Sequence, residues 1–263
     1  NRVLKALERT PAVPPAIPRE ATRIPAGEGP SRLPNVTADL AFQKGWFEVQ
    51  DEGSQIVADL VVPQEGEQVL DFCAGGGGKT LAMAAAMHNK GQVHAYDTDR
   101  KRLAPIIERL KRAGTRNVQV HESLSSLSPL AGRFDRVLVD APCTGTGTWR
   151  RRPDTKWRLT EKNLEERLTQ QQEALANASA FVRPGGFLLY VTCSILPQEN
   201  EEQVHGFCKA NPDFEIQPAG ETWRALFGAD RPQPWSRDGK SVTLTPAATD
   251  TDGFFFCRMS RRA

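Results

Sequence analysis

These 263 residues contain no Cys-x-x-Cys pair, no internal repeat and no apolar run near membrane-spanning length, and no secretory leader is expected. Its five cysteines stand at irregular positions, which argues against a disulfide scaffold and for a reduced, cytoplasmic protein. His88, His94, His121 and His205 show no ligand spacing, so no metal is assigned. Charge of one sign is also missing. Lys and Arg total 34 against 32 acids, and a net +2 is too small to argue for nucleic acid unless cations cluster locally. The first residue is Asn1 rather than Met, which leads to the expectation that the native chain carries something before it.

A chain of 263 residues, 39% hydrophobic and 25% charged, is long enough to bury a full core and suits one large α/β domain with attachments. After a short helical pattern, Val3 to Glu8, prolines at 11, 14, 15, 18, 25, 30 and 34 break any helix or central strand, which leaves an extended connector or a meander of edge strands. Gly45 to Gln50 reads as a short strand and Ser54 to Val62 as a helix ending at Pro63, so the compact domain is expected to begin near Phe42. Strand and helix then alternate: strand 68–72, helix 80–88, strand 92–96, helix 100–113, strands 118–121 and 133–139, helix 160–181, strand 187–192 and helix 199–210. Gly253 to Met259, with three consecutive Phe, suits a closing strand. Such alternation predicts a mostly parallel sheet with helices on both faces, and a ligand at the carboxyl ends of the strands where their order reverses.

The first of these strands runs through Cys73 and Ala74 into Gly75, Gly76, Gly77, Gly78, Lys79 and Thr80. Consecutive glycines let backbone approach a ligand, and the following helix start offers free amides. The phosphate-loop pattern fails, because its opening glycine falls at Cys73, and the dinucleotide spacing fails too. Asp97 ends the second strand, where a carboxylate can accept both hydroxyls of a ribose; the alternative is a cap, a role that suits Asp99 better.

Cys143 in Asp140-Ala141-Pro142-Cys143 and Cys193 in Thr192-Cys193-Ser194 each follow an apolar strand, so both thiols are expected to face one cleft. A thiolate adds to soft electrophilic carbons and leaves again. The C6 carbon of a pyrimidine is such a centre, and addition there makes C5 nucleophilic towards a sulfonium methyl group. The cycle needs a nucleophile, a proton-bearing partner for N3 and help with release. Cys193, Asp140 and Cys143 are available for these three tasks.

These motifs together resemble the Sun/nucleolar-protein family of S-adenosylmethionine-dependent RNA cytosine-5 methyltransferases, most closely its bacterial 16S ribosomal RNA members. The likeness runs from Gly45-Trp46-Phe47 and Gln50 to Gln55 through the Cys73–Thr80 loop, Asp140 to Gly147, Arg152-Pro153-Asp154 with Lys156-Trp157, Tyr190 to Ser194, and Pro197 to Glu201. The resemblance implies a Rossmann-like, mostly parallel seven-stranded sheet over residues 42–263. Residues 1–41 would hold a connector and the remnant, at Val3 to Leu7, of a small RNA-binding subdomain. It implies Cys193 as nucleophile, Cys143 as helper in adduct breakdown, Asp140 on the cytosine and Lys79 in the same pocket. Cys73 to Lys79 would hold the methionine part of S-adenosylmethionine, with Asp97 on its ribose and Asp140 also near it. The chain departs from the family at Gly75-Gly76, where Ala-Pro is usual, and at Ser123, where an adenine-side Asp is usual and the adjacent Glu122 is the substitute.

Arg150, Arg151 and Arg152, followed by Lys156, Trp157 and Arg158, combine cations with an aromatic ring, as RNA phosphates and an unpaired base require; a solvated loop is the plainer reading. Cys73, Cys208 and Cys257 are expected to pack, as are Trp46 and Phe47, and Glu199 to Glu202 to begin a helix whose dipole suits acids. The resulting expectation is a methyltransferase acting on 16S ribosomal RNA or a ribosomal assembly intermediate, its target base extruded from the stack. The alternatives are a tRNA cytosine-5 enzyme, a DNA enzyme with Cys143 as nucleophile, a thiol redox pair, and a non-catalytic RNA-binding assembly factor.

Overall fold

A parallel strand covered by helices on both sides must be apolar on both sides. Phe134–Asp140 (β4) is such a run, and alternate residues serve opposite cores: Val137 and Val139 face one, Leu138 the other. The computed structural model describes residues 12–15, 21–24, 35–231 and 233–263. The expected helix at Val3 to Glu8, and with it the remnant at Val3 to Leu7, lies outside them.

Helix α1 (Glu52–Asp59) leads into β1 (Gln68–Asp71), α2 (Gly78–Ala86), β2 (Gln92–Tyr96), α3 (Arg100–Leu103), α4 (Ile106–Ala113) and β3 (Val118–His121). After β4 come α5 (Glu161–Ser179), β5 (Val182–Thr192), α6 (Glu201–Ala210), β6 (Phe214–Gln217), α7 (Gly220–Phe227), β7 (Val242–Leu244) and β8 (Phe254–Arg261). Among the described residues the sheet has eight strands in the order β3-β2-β1-β4-β5-β8-β6, with β7 also pairing β8. β1 to β5 are mutually parallel; β8 is antiparallel to β5, β6 and β7. Strand order reverses between β1 and β4, the position where open α/β sheets form a crevice. Helices α5 and α6 cover one face through Leu175, Ala178, Val204 and Phe207; α1, α2 and α7 cover the other through Ile56, Leu60, Met83 and Trp223.

The mostly parallel sheet with helices on both faces is the expected architecture, and Gly253 to Met259 does supply the closing strand. Local differences have physical causes. Gly45 to Gln50 pairs with no described strand: Gly45 turns at φ +72°, and Trp46 donates back to the Ala41 carbonyl. Phe47 packs on Phe42 with ring centroids 5.8 Å apart, and Trp46, 41% exposed, has the Lys44 ammonium over its ring. The expected helix 54–62 begins earlier, where the Asp51 carboxylate accepts the Ser54 amide, and stops earlier because Val62 takes φ +49°. Pro105 divides the expected helix 100–113 into α3 and α4. β6, β7 and α7 were unanticipated; with Gly45 to Gln50 outside the sheet, the two added strands make eight among the described residues where seven were expected.

His94 on β2 and His121 on β3 are both buried, with Nδ1 of the first 2.8 Å from Nε2 of the second and their rings stacked at 5.1 Å. Burial, and then repulsion from His121, pulls His94 down to about 4; burial lowers His121 as well. A depressed imidazole is neutral in the folded chain while the unfolded one protonates near 6.5. The stability it contributes is therefore complete above pH 6.5 and is lost as pH falls towards about 4. Unfolding by urea across that range should show stability falling with acid, and His94→Gln should flatten the slope; equal slopes in both proteins would refute this.

Candidate active site at the carboxyl edge of the sheet

Parallel pairing puts every strand's carboxyl end on one edge. Asp71 ends β1, Asp97 follows β2, Asp140 ends β4 and Cys193 follows β5, whose Val191 is the register partner of Asp140. Between Asp71 and α2 the chain turns through Cys73 to Gly77, with Gly75 at φ +49° and Gly77 at φ +81°. A Cβ on Gly77 would lie 2.4 Å from Ile106, so the loop must be bare there. The Ala74 amide donates to Tyr96 O, and the Gly75 amide donates to the Asp97 carboxylate at 2.9 Å. Arg109 donates to Gly76 O at 2.6 Å and pairs with Glu48 at 3.2 Å, tying the loop to α4 and to the segment before α1. Cys73 packs against the core that contains Phe72.

Asp97 is buried and also accepts the Asp99 amide, while Asp99 itself caps α3 by accepting from Lys101 and Arg102. Glu122 and Ser123 follow β3 along the same edge. The Glu122 carbonyl accepts from Arg100, and the Ser123 hydroxyl meets that of Ser125.

Lys79, on the first turn of α2, is buried and donates to Asp140 at 2.7 Å, with its ammonium 5.4 Å from the Phe254 ring centroid. Burial disfavours the ammonium, but attraction and hydrogen bonding to Asp140 outweigh it, so Lys79 stays charged. Asp71, unmarked by the sequence reading, accepts from the Thr80 hydroxyl at 2.7 Å; its other oxygen is buried without a partner. Burial first, then repulsion from Asp140 and Asp97, pushes its carboxyl up to about 7 against the pull of Thr80 and Lys79.

The two sulfurs meet: Cys143 Sγ lies 3.3 Å from Cys193 Sγ, and both cysteines are free thiols. The hydrogen bond from Cys143 pulls Cys193 below the ordinary thiol range, with burial and Asp140 opposing and Lys79 assisting. The same bond, then burial, raises Cys143. Of the two sulfurs Cys193 is therefore the one that ionises first while Cys143 keeps its proton, so the pair can present one thiolate as nucleophile.

Glu199 is the largest departure from expectation. It does not serve the α6 dipole, a task left to Glu201 and Glu202; it is fully buried in the turn before that helix. Its carboxylate accepts the Thr144 amide at 2.8 Å, the Thr144 hydroxyl, and the Gln171 side chain at 2.9 Å. Gln171 carried a readable signal: it shares the buried stripe of α5 with Ala174, Leu175 and Ala178, where a polar side chain needs a reason. Nothing in the local pattern distinguished Glu199 from its acidic neighbours.

The basic segment is divided. Arg150 and Arg151 both bind the fully buried Asp252, Arg150 at 2.7 Å, so they are engaged within the fold. Arg152 and Lys156 face solvent beside Trp157, which is 83% exposed, and the Lys156 ammonium stands within 6 Å of both the Trp149 and Trp157 rings. Gly147 sits beneath: its amide donates to Cys193 O at 3.0 Å and its carbonyl accepts from Gly253 at 2.8 Å.

Comparison with known proteins adds context. A family model described as 16S rRNA methyltransferase RsmB/F matches residues 58–260. Ribosomal RNA small subunit methyltransferase B of Cronobacter sakazakii is 36% identical over 98% of this chain and 56% of its own length. The chain spans about half the length of the curated relatives it matches. Two crystal structures from Pyrococcus horikoshii superpose well. A methyltransferase homologue gives TM-score 0.78 at 27% identity, covering 99% of this chain and 82% of its own. NSun6, solved with SFG, gives 0.75 at 28%, covering 88% and 57%.

Two outcomes test this geometry. Alkylation by iodoacetamide should reach Cys193 before Cys143, and in Cys143→Ala the pH profile of Cys193 alkylation should move to higher pH; an unmoved profile would show that Cys143 does not hold the thiolate. Gly147→Ala would set a Cβ 2.2 Å from Gly253 O, and thermal unfolding should report a loss of about 3 kcal/mol.

Proposed function

The chain belongs to the 16S rRNA methyltransferase RsmB/F family, and from that premise we propose that it methylates C5 of a cytosine in RNA, with small-subunit ribosomal RNA as substrate. The observation that carries this reading is the pair of sulfurs 3.3 Å apart beside the Lys79–Asp140 ion pair. Residues 42–263 would then form the catalytic domain.

The residues present fit S-adenosylmethionine. The bare loop Gly75 to Gly78 admits close approach, the partnerless oxygen of buried Asp71 seeks a donor, and Asp97 stands where a ribose would be read. Cys73 to Lys79, Asp97 and the edge of Asp140 would hold it, with Glu122 and Ser123 towards the adenine. Its sulfonium methyl supplies the electrophile.

On the substrate side, the Cys193 thiolate adds to C6 of an extruded cytosine. Asp140 orients the ring, and the ammonium of Lys79, which bears the proton of that pair, lends it through Asp140 to N3 as electrons move into the ring and takes it back when the ring is restored. C5 then bonds to the methyl group; loss of the C5 proton and expulsion of Cys193 restore the ring. Cys143 assists that departure. The polarity of the sulfur pair favours Cys193 over Cys143 as nucleophile, against the DNA-type assignment. Arg152, Lys156 and Trp157 are proposed for RNA contact, by charge and by stacking; Arg150 and Arg151 would shape that loop through Asp252.

Transfer of label from S-adenosylmethionine to unmodified small-subunit ribosomal RNA, followed by nucleoside analysis, tests the reading. Label should appear in 5-methylcytidine, and Cys193→Ala should lower the rate roughly 10³-fold or more while cofactor still binds. Label in another nucleoside, or transfer that survives Cys193→Ala, would sink the proposal.

A further inference from the structure

Glu199 and Gln171 touch neither sulfur, and no step above uses them. Yet both are fully buried and both act on the three residues around Cys143. One Gln171 Nε2 donates to Pro142 O at 2.9 Å and to the Glu199 carboxylate at 2.9 Å. That carboxylate takes the amide and the hydroxyl of Thr144. The backbone is thus held immediately before and immediately after Cys143. Glu199 is itself anchored, since its carbonyl accepts the Tyr190 hydroxyl at 2.7 Å. A buried polar cluster of this kind is costly to assemble and is rigid once its bonds are made.

Cys143 can donate to Cys193 only while it keeps its proton and its place. The nearby Glu199 charge works to the same end, because it opposes a second negative charge on Cys143. A hydrogen bond from Cys143 stabilises the free Cys193 thiolate and has little to offer the neutral thioether of a covalent adduct. It therefore favours departure of the sulfur over its retention.

We infer that Glu199 and Gln171 are positioning residues that hold Cys143 as hydrogen-bond donor to the departing Cys193 sulfur, and so govern release of the covalent adduct rather than its formation. The inference rests on the covalent route proposed above. In the release step the C6–S bond breaks and its electron pair returns to Cys193. The C5–H pair becomes the C5=C6 double bond, and the C5 proton passes to water. Cys143 keeps its own proton throughout and shares it with the thiolate as that charge appears.

The test uses the whole chain with S-adenosylmethionine and RNA, at alkaline pH where Cys193 is ionised in each variant. Covalent protein–RNA complex is measured on denaturing gels beside product turnover, for Glu199→Gln, Gln171→Leu and Cys143→Ala. Loss of a hydrogen bond to a charged group predicts roughly tenfold to hundredfold slower turnover with a matching rise in trapped complex, and an unchanged initial rate of adduct formation. A purely structural role would lower thermal stability and turnover without trapping complex. If Cys143→Ala accumulates complex and the other two variants do not, the inference falls while the covalent reading stands. If Cys143→Ala accumulates none, Cys143 does not assist release and the inference falls, while the covalent reading stands or falls separately on Cys193→Ala. Should Glu199→Gln fail to fold, Thr144→Val removes one donor to the carboxylate and should trap complex to a smaller degree; no rise there would also overturn the inference.

Discussion

The register between β4 and β5 decides where every reactive group stands. With Asp140 opposite Val191, the chain leaves both strands at one level, and three residues on from Asp140 and two on from Val191 are enough to bring two sulfurs into hydrogen-bond contact. A slip of one residue would invert the faces of β5, sending Leu188 and Tyr190 into the opposite core. The hydrophobic alternation of these strands therefore specifies the site as firmly as it specifies the core.

Electrostatics then sorts the groups gathered at that edge. Asp71, Asp97 and Asp140 stand at the ends of three adjacent strands, with Lys79 a buried cation among them. Lys79 pairs with Asp140 and not with Asp71, whose carboxyl climbs to about 7 instead. An interior with surplus acid lowers its energy by admitting a cation or a proton. A ligand carrying both an ammonium and a sulfonium would meet that need, which is the electrostatic side of the argument for the proposed cofactor.

Much of the layout was legible because β1, β2 and β4 are strand-length apolar runs and each ends in Asp or in a residue next to one. The glycine loop was legible for the same local reason. What escaped was set by partners distant in the chain. Glu199 sits in a row of acids, and only Thr144 and Gln171, 55 and 28 residues away, give it a separate role. Arg150 and Arg151 look like free cations until Asp252 is brought beneath them by β8. β6 and β7 are short segments that lie end to end along β8, with too few residues for a period to declare itself. The break at Pro105 was readable from proline alone, and the amphipathic pattern on both sides of it masked it.

β8 also gives the molecule an order of completion. It lies between β5 and β6, and the segment entering it brings Asp252 to Arg150 across 102 residues of chain and Gly253 to Gly147. A chain emerging from the ribosome makes its glycine loop and both sulfurs first, then must wait for this segment before the Gly147–Arg151 loop can take its final form. Truncated translation products would have the reactive thiols but not the platform that orders them. Synthesis itself thus withholds a finished cleft from any copy not yet complete through β8.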